Sequence, residues 1–217
     1  MKKIALFGAT GMIGSRILSE ALSRGHQVTA IVRDPAKVTA KSPLLKVEIG
    51  DVLKPESVAV AIAGCDVVVS SYGPGRAGDP RDLLKAAESL IGGVGAASET
   101  AGTPIRLIVV GGAGSLEVAP GVQLVDTPNF PAAWKPAASA AREALAIYRK
   151  SPIKWTYMSP AAMIQPGTRT GKYRTATEQL ITDAKGESHV SAEDYAVALV
   201  DEIDNPRFER MRFTAAY

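Results

Sequence analysis

The chain has 217 residues, 46% of them hydrophobic and 22% charged, which supports one well-buried core and is short for two. The net charge of +3 is spread thinly rather than gathered into a basic stripe, which argues against a nucleic-acid partner. The lone cysteine, Cys65, excludes an internal disulfide, and no apolar run reaches the roughly 18 residues of a membrane-spanning helix.

Apolar runs alternate with helix-period segments along the whole chain. Strands are predicted at 3–8, 28–32, 46–49, 66–71, 105–111, 154–159 and 210–215. Helices are predicted at about 12–24, 55–63, 80–100, 137–150 and 191–203. Strands apolar on both faces and spaced by helices indicate a parallel sheet covered on both sides, a doubly wound α/β (Rossmann) fold over residues 1–217 as one domain. Two stretches, 112–136 and 160–190, read as loops at strand C-terminal ends, where open α/β sheets bind ligands. They are expected to form a substrate wall and a lid. Three glycines within predicted helix 80–100 (Gly92, Gly93 and Gly95) suggest close backbone approach, to the sheet or to a second subunit, or else a break in the helix.

The segment "KIALFGATGMIGSRILSEAL" carries Gly8, Gly11 and Gly14 between a predicted strand and a predicted helix. In that context the first glycine permits a tight turn and the second lets the backbone approach a pyrophosphate. The third lets the helix pack on the strand. The helix N-terminus then offers free N–H groups to phosphate, with Thr10, Met12 and Ile13 facing the ligand. After the second strand, "AIVRDP" places Val32 where an NAD site would hold its ribose-binding acid. Arg33 follows, and its planar fork suits a 2′-phosphate. Asp34 precedes Pro35 and reads as a helix cap, so NADP is preferred over NAD. Asp51, in "IGDV", either contacts adenine or makes a strand-end turn. Ser70, Ser71, Tyr72 and Gly73 end the fourth strand and would let ribose and nicotinamide pass close to the backbone.

Taken together, "FGATGMIG", "VRDP", "GDV", "VVVSSYGPG", "VVGGAGS" and "SAEDYAVALVDEID" resemble the atypical short-chain dehydrogenase/reductase superfamily. The similarity is to the small NAD(P)-binding group of NmrA-like proteins and biliverdin-IXβ or flavin reductases. It covers nearly the whole chain. The resemblance implies that the glycine loop holds pyrophosphate, that Arg33 holds the 2′-phosphate, and that Asp51 and Val52 contact adenine.

The chain departs from that superfamily where chemistry is expected. Reducing members use a Ser–Tyr–Lys set with the last two spaced Y-x-x-x-K. None of the six tyrosines here has lysine four residues on, and Trp134 stands where the tyrosine is expected. Ser115 occupies the place of the serine and is the one candidate catalytic side chain, or else a cap. Trp134 reads as a pocket wall. Tyr173, with Arg169, Lys172 and Arg174, reads either as an anion-binding substrate loop or as a solvated basic loop.

These residues point to an NADPH-dependent reductase of a small, flat acceptor such as a flavin, quinone or linear tetrapyrrole. The alternative is a non-catalytic NADP(H) sensor acting through a protein partner; an epimerase or dehydratase fits less well. A small-molecule substrate, a cytoplasmic location and no metal are expected, and a homo-oligomer is compatible with the chain. His26 and His189 show no cysteine or carboxylate at metal-ligand spacing.

Overall fold

The computed structural model describes residues 1–75 and 77–217. In chain order the strands are β1 (Lys3–Phe7), β2 (Gln27–Val32), β3 (Leu45–Ile49), β4 (Val67–Ser70), β5 (Arg106–Val110), β6 (Glu117–Ala119), β7 (Val122–Gln123), β8 (Lys154–Ser159), β9 (Met163–Gln165), β10 (Arg174–Ala176), β11 (His189–Ser191) and β12 (Met211–Ala216). The α-helices are α1 (Met12–Ser23), α2 (Pro55–Ala61), α3 (Asp82–Ala101), α4 (Lys135–Lys150) and α5 (Ala192–Asp204). Every strand and helix expected from the sequence is present, with ends displaced by no more than two residues.

The main sheet has eight strands in the order β10-β12-β8-β5-β4-β1-β2-β3, parallel throughout except for β10 at one edge. Residues of β1 alternate between two cores, because successive strand side chains point to opposite faces. Ile4 and Leu6 enter a core with α1 and α5, while Ala5 and Phe7 enter a second core with α2, α3 and α4. The chain reverses direction across the sheet between β1 and β4, which is where doubly wound folds open a crevice.

Local sequence explains the helix ends. Ser191 caps α5 by accepting the Asp194 N–H at 3.0 Å, with Glu193 and Asp194 in its first turn. Gly102 ends α3 in the left-handed region at φ 65°. The glycines of α3 do not break it. A Cβ on Gly93 would lie 2.6 Å from the Val58 side chain, so at that residue the close approach is to α2 rather than to the sheet.

The two long loops are corrected by the structure. Segment 112–136 contains a β6–β7 hairpin and two single-turn helices, Leu124–Asp126 and Ala132–Trp134. Segment 160–190 holds β9, which pairs with β11, and β10, which closes the sheet edge on β12. None of these strands exceeds three residues. They exist through tertiary pairing, which leaves no periodic signal in sequence.

Within segment 160–190, expected to form a lid, residues 169–173 bond to α1 and α5. Arg169 donates twice to the Glu20 carboxylate, at 2.8 and 2.9 Å, and Thr170 and Gly171 donate to Asp194. A buried pair, Arg106 with Glu202, ties β5 to α5. Arg106 also donates to Thr156 Oγ1 at 2.7 Å, and Glu202 accepts the Phe208 N–H at 2.8 Å. Cys65 is half-buried outside the crevice, and burial raises its thiol pKa, helped by the neighbouring Asp66 and Glu48 carboxylates. Among the described residues no helix is long and apolar enough to cross a membrane.

Candidate functional site

A cavity of about 860 Å³ opens at the C-terminal ends of the parallel strands. It runs from the β1–α1 turn to a chamber between segment 112–136, α4 and Pro160–Ile164. Its first half is built by the glycine loop, where each glycine has a separate steric reason. Gly8 sits at φ 77°, and a Cβ there would lie 2.3 Å from the Ser71 carbonyl oxygen. A Cβ on Gly14 would lie 2.0 Å from the Gly8 carbonyl oxygen, so the helix could not approach the strand. At Gly11 the nearest atom to an added Cβ is that same oxygen at 3.4 Å, and the residue otherwise faces the cavity.

Gly11 is also the N-cap of α1, and no side chain caps it. The first-turn N–H groups therefore lie open beside Thr10, Met12 and Ile13 on the cavity wall, with no acidic residue in the first turn. A cradle kept free of side chains at Gly8, Gly11 and Gly14, next to an uncapped helix N-terminus, fits a pyrophosphate.

Arg33 and Lys37 line the same half and are exposed. Asp34 caps the short turn Pro35–Lys37, its Oδ1 accepting the Ala36 N–H at 3.1 Å. Asp51 also lines the cavity while making its turn: Oδ1 accepts the Leu53 N–H at 3.0 Å and its own N–H donates to Ser57. The strand-end turn is therefore formed, and Asp51 also lies on the cavity wall. Val52, Ser70, Ser71, Tyr72 and Gly73 complete this half, and burial raises the Tyr72 pKa.

The expectations for the second half divide. Trp134 lies on the cavity rim, 53% exposed, as a wall residue should. Ser115 does not line the cavity. It is 3% exposed, and its hydroxyl oxygen accepts a hydrogen bond from Arg212 Nη1 at 2.9 Å, because the turn after Gly114 points it inward toward β12. Tyr173 is also outside the cavity, where its hydroxyl donates to Asp201 on α5. Of the basic loop, Arg169 pairs with Glu20 and Arg174 donates to the carbonyls of Thr182 and Tyr217. None of Arg169, Lys172, Tyr173 and Arg174 reaches the cavity.

Several lining residues carry no local sequence signal: Lys37, Asn129, Phe130, Tyr148 and Tyr157. Tyr157 donates its hydroxyl proton to the Ala141 carbonyl at 2.9 Å, and burial pushes its pKa up to about 12. Its ring occupies the space a Cβ on Gly111 would need. Tyr148 is 2% exposed and lines the cavity floor, with its pKa also raised by burial. The only lysine on the described cavity wall is Lys37, at the glycine-loop end, so no Tyr–Lys acid pair forms in the chamber.

Away from the cavity, Asp183, Glu187 and His189 each place a ligand-type atom within 4.8 Å of the others. Folding thus brings carboxylates to His189 that linear spacing did not reveal. Asp183 Oδ1 already accepts the N–H groups of Lys185 and Glu187 in a tight turn.

Residues 8–206 match the model of the NAD(P)H-binding family. The chain is 41% identical to the uncharacterized protein YwnB of Bacillus subtilis (strain 168) over 216 residues, covering 98% of this chain and 97% of that one. A structure from Burkholderia pseudomallei, provisionally described as an exported protein, is 50% identical with a TM-score of 0.88, and all of both chains is covered. A structure from Streptococcus pneumoniae, provisionally described as an NADH-flavin reductase, is 34% identical with a TM-score of 0.86, covering 100% of this chain and 99% of that one. The glycine cradle, the switch-point cavity and these similarities lead to one conclusion: the chain belongs to the NAD(P)H-binding family, in the NmrA-like and flavin-reductase-like group of atypical short-chain dehydrogenase/reductases.

Proposed function

We propose that the protein is an NADPH-dependent reductase of a small, flat acceptor that takes hydride directly. The observation that carries this reading is the continuity of the cavity, from the phosphate-type cradle at Gly8–Ile13 to an apolar chamber with no Tyr–Lys pair among its described residues. When bound, the dihydronicotinamide supplies a hydride. Conjugated rings accept hydride with a proton from solvent, so their reduction does not need the missing tyrosine. Met12 N–H, Ile13 N–H and the Gly11 backbone hold the pyrophosphate, and Arg33 with Lys37 receives the 2′-phosphate. Ser70 to Gly73 give the ribose close passage, and Trp134 and Phe130 wall the acceptor. The single half-buried cysteine suits a reducing, cytoplasmic setting.

Two measurements test this reading. NADPH oxidation is followed with a flavin, a quinone and a linear tetrapyrrole; acceleration by at least one is expected, and none would sink the reductase reading in favour of a sensor. Affinities for NADPH and NADH are then compared in Arg33→Ala. A loss of about tenfold or more for NADPH with little change for NADH is expected, since a charge-assisted bond to phosphate contributes about 1.5–3 kcal/mol. Equal losses would end the assignment of Arg33 as the selector.

A further inference from the structure

The cavity does not stop at the strand ends. It continues downward as a recess between α3 and α4, with Tyr148 at its floor. Leu90 lies well inside α3 and Tyr148 in the last turn of α4, so both stand below the mouth. Small side chains keep the recess open: Ala86 on α3, and Ala141 and Ala144 on α4. The phosphate cradle and Arg33 belong to β1 and β2, which β4 and β5 separate from β8 in the sheet. The recess therefore adds space away from the anchor points of a dinucleotide.

Two tyrosines face this space, and their hydroxyls differ. That of Tyr157 is committed: it donates to the Ala141 carbonyl at 2.9 Å and accepts the Gly112 N–H at 3.3 Å. The Tyr148 ring lies 6.1 Å from the Tyr157 ring, centroid to centroid, tilted by 48°. Tyr148 is only 2% exposed, yet its hydroxyl has no hydrogen-bond partner among the described residues. The oxygen is not sealed from solvent as the orphaned indole N–H of Trp155 is, so it opens on the cavity.

Helix geometry agrees with that direction. Aromatic side chains lean toward the N-terminus of their helix, and α4 begins at the cavity wall beside Trp134 and Ala137. The backbone at Tyr148 is held as well, its carbonyl accepting the N–H and the hydroxyl of Ser151 at 3.0 and 2.8 Å. Burial, with Tyr157 adding, raises the phenol pKa, so the group keeps its proton and stays a donor. Phenylalanine would fill the same space without the cost of burying an unmatched hydroxyl. Packing thus gives this oxygen no use, and a ligand does.

We propose that the recess is a subsite for the molecule that reacts with the cofactor, and that the Tyr148 hydroxyl donates a hydrogen bond to an oxygen of that molecule. This rests on the reductase reading for what enters the cavity. Tyr148 is then a specificity-determining residue: a molecule of the same shape without the oxygen leaves a buried donor unmatched and binds less well.

The test uses NADP+-loaded protein, which does not reduce its ligand, with menadione and 2-methylnaphthalene. The two share a methylated two-ring frame, and only menadione carries carbonyl oxygens. Equilibrium dialysis gives both affinities in wild type, Tyr148→Phe and Ala144→Leu, and calorimetry gives that of NADP+. In Tyr148→Phe the preference for menadione over 2-methylnaphthalene is expected to fall about three- to tenfold, the loss of one neutral hydrogen bond. NADP+ affinity and Tm should stay near wild type. In Ala144→Leu both probes should lose affinity, because leucine fills the recess, while NADP+ binds as before. An unchanged preference in Tyr148→Phe, or a wild type that binds neither probe, would overturn the proposal. So would undiminished binding of both probes in Ala144→Leu, or a loss of NADP+ affinity that matches the loss of menadione. Menadione reduction by NADPH is followed separately in wild type. Its absence, with the preference shifted as expected in Tyr148→Phe, would sink the reductase reading and leave the role of Tyr148 standing.

Discussion

The cavity and the interface of α1, α5 and segment 165–190 use polar residues in opposite ways. In the interface, charge is paired and directional. Arg24 reaches Glu20, Asp201 and Asp204, Arg169 reaches Glu20, and Asp194 accepts from Thr170, Gly171 and Tyr217. In the cavity the lining carboxylates serve their own turns, and exposed Arg33 and Lys37 stand at one end. The difference teaches that basic residues gathered in sequence are not thereby a ligand site. Arg169 and Arg174 are spent on structure, whereas Arg33 stands alone in sequence and lines the cavity.

The comparison is broken most severely at Glu202. Glu202→Ala leaves Arg106 buried and unpaired, and a loss of about 3–5 kcal/mol is expected, lowering Tm by on the order of 10 °C. NADPH affinity of the folded fraction should stay near wild type. A thermal melt within a degree or so of wild type would show that the pair is idle.

The glycine loop separates binding from folding more finely. Gly11→Val turns a side chain toward the cavity, so NADPH affinity should fall by about a hundredfold, near 2.8 kcal/mol, with little change in Tm. Gly14→Val should instead unfold the protein, because its Cβ collides with the Gly8 carbonyl. Matching melts for the two variants, read beside calorimetric affinities, would remove the distinction drawn between these glycines.

The smallest effect is in acid. Hydrogen bonds from Arg169 hold the Glu20 pKa below its ordinary value of 4.5, outweighing burial, with Arg24 adding to the effect. A depressed carboxylate stabilises the fold fully above its unfolded pKa and loses that contribution as pH falls through the folded value. Stability should therefore decline below pH 4.5, and Glu20→Gln should make the decline shallower. Asp194 keeps part of the slope: burial raises its pKa, but the Thr170 hydroxyl, the Gly171 N–H and Tyr217 together hold it below 3.8. Melts across the acid range check this, and an unchanged slope in the variant would remove Glu20 from the account.

What was legible in the sequence was what the backbone itself dictates. Gly8, Gly11 and Gly14 announce a cradle because no other residue fits two of those places, and Asp34 followed by Pro35 announces a cap. The alternation of apolar runs and helical periods was enough for the parallel sheet. The chamber was not legible. Phe130, Tyr148 and Tyr157 meet only after α4 and β8 pack, and their spacing along the chain carries no trace of that. Ser115 was expected near the chemistry from the family resemblance, and Tyr173 from its basic neighbours in sequence. Their orientation is set by partners far along the chain, Arg212 and Asp201.

The neutral thiol of Cys65 bears on chemical durability. Quinones are electrophiles as well as oxidants, and they add to thiolates far more readily than to thiols. With its pKa raised by burial, Cys65 spends little time as thiolate and lies outside the cavity. Under the reductase reading proposed above, a sole cysteine held back from ionising is slow to be alkylated by a quinone acceptor.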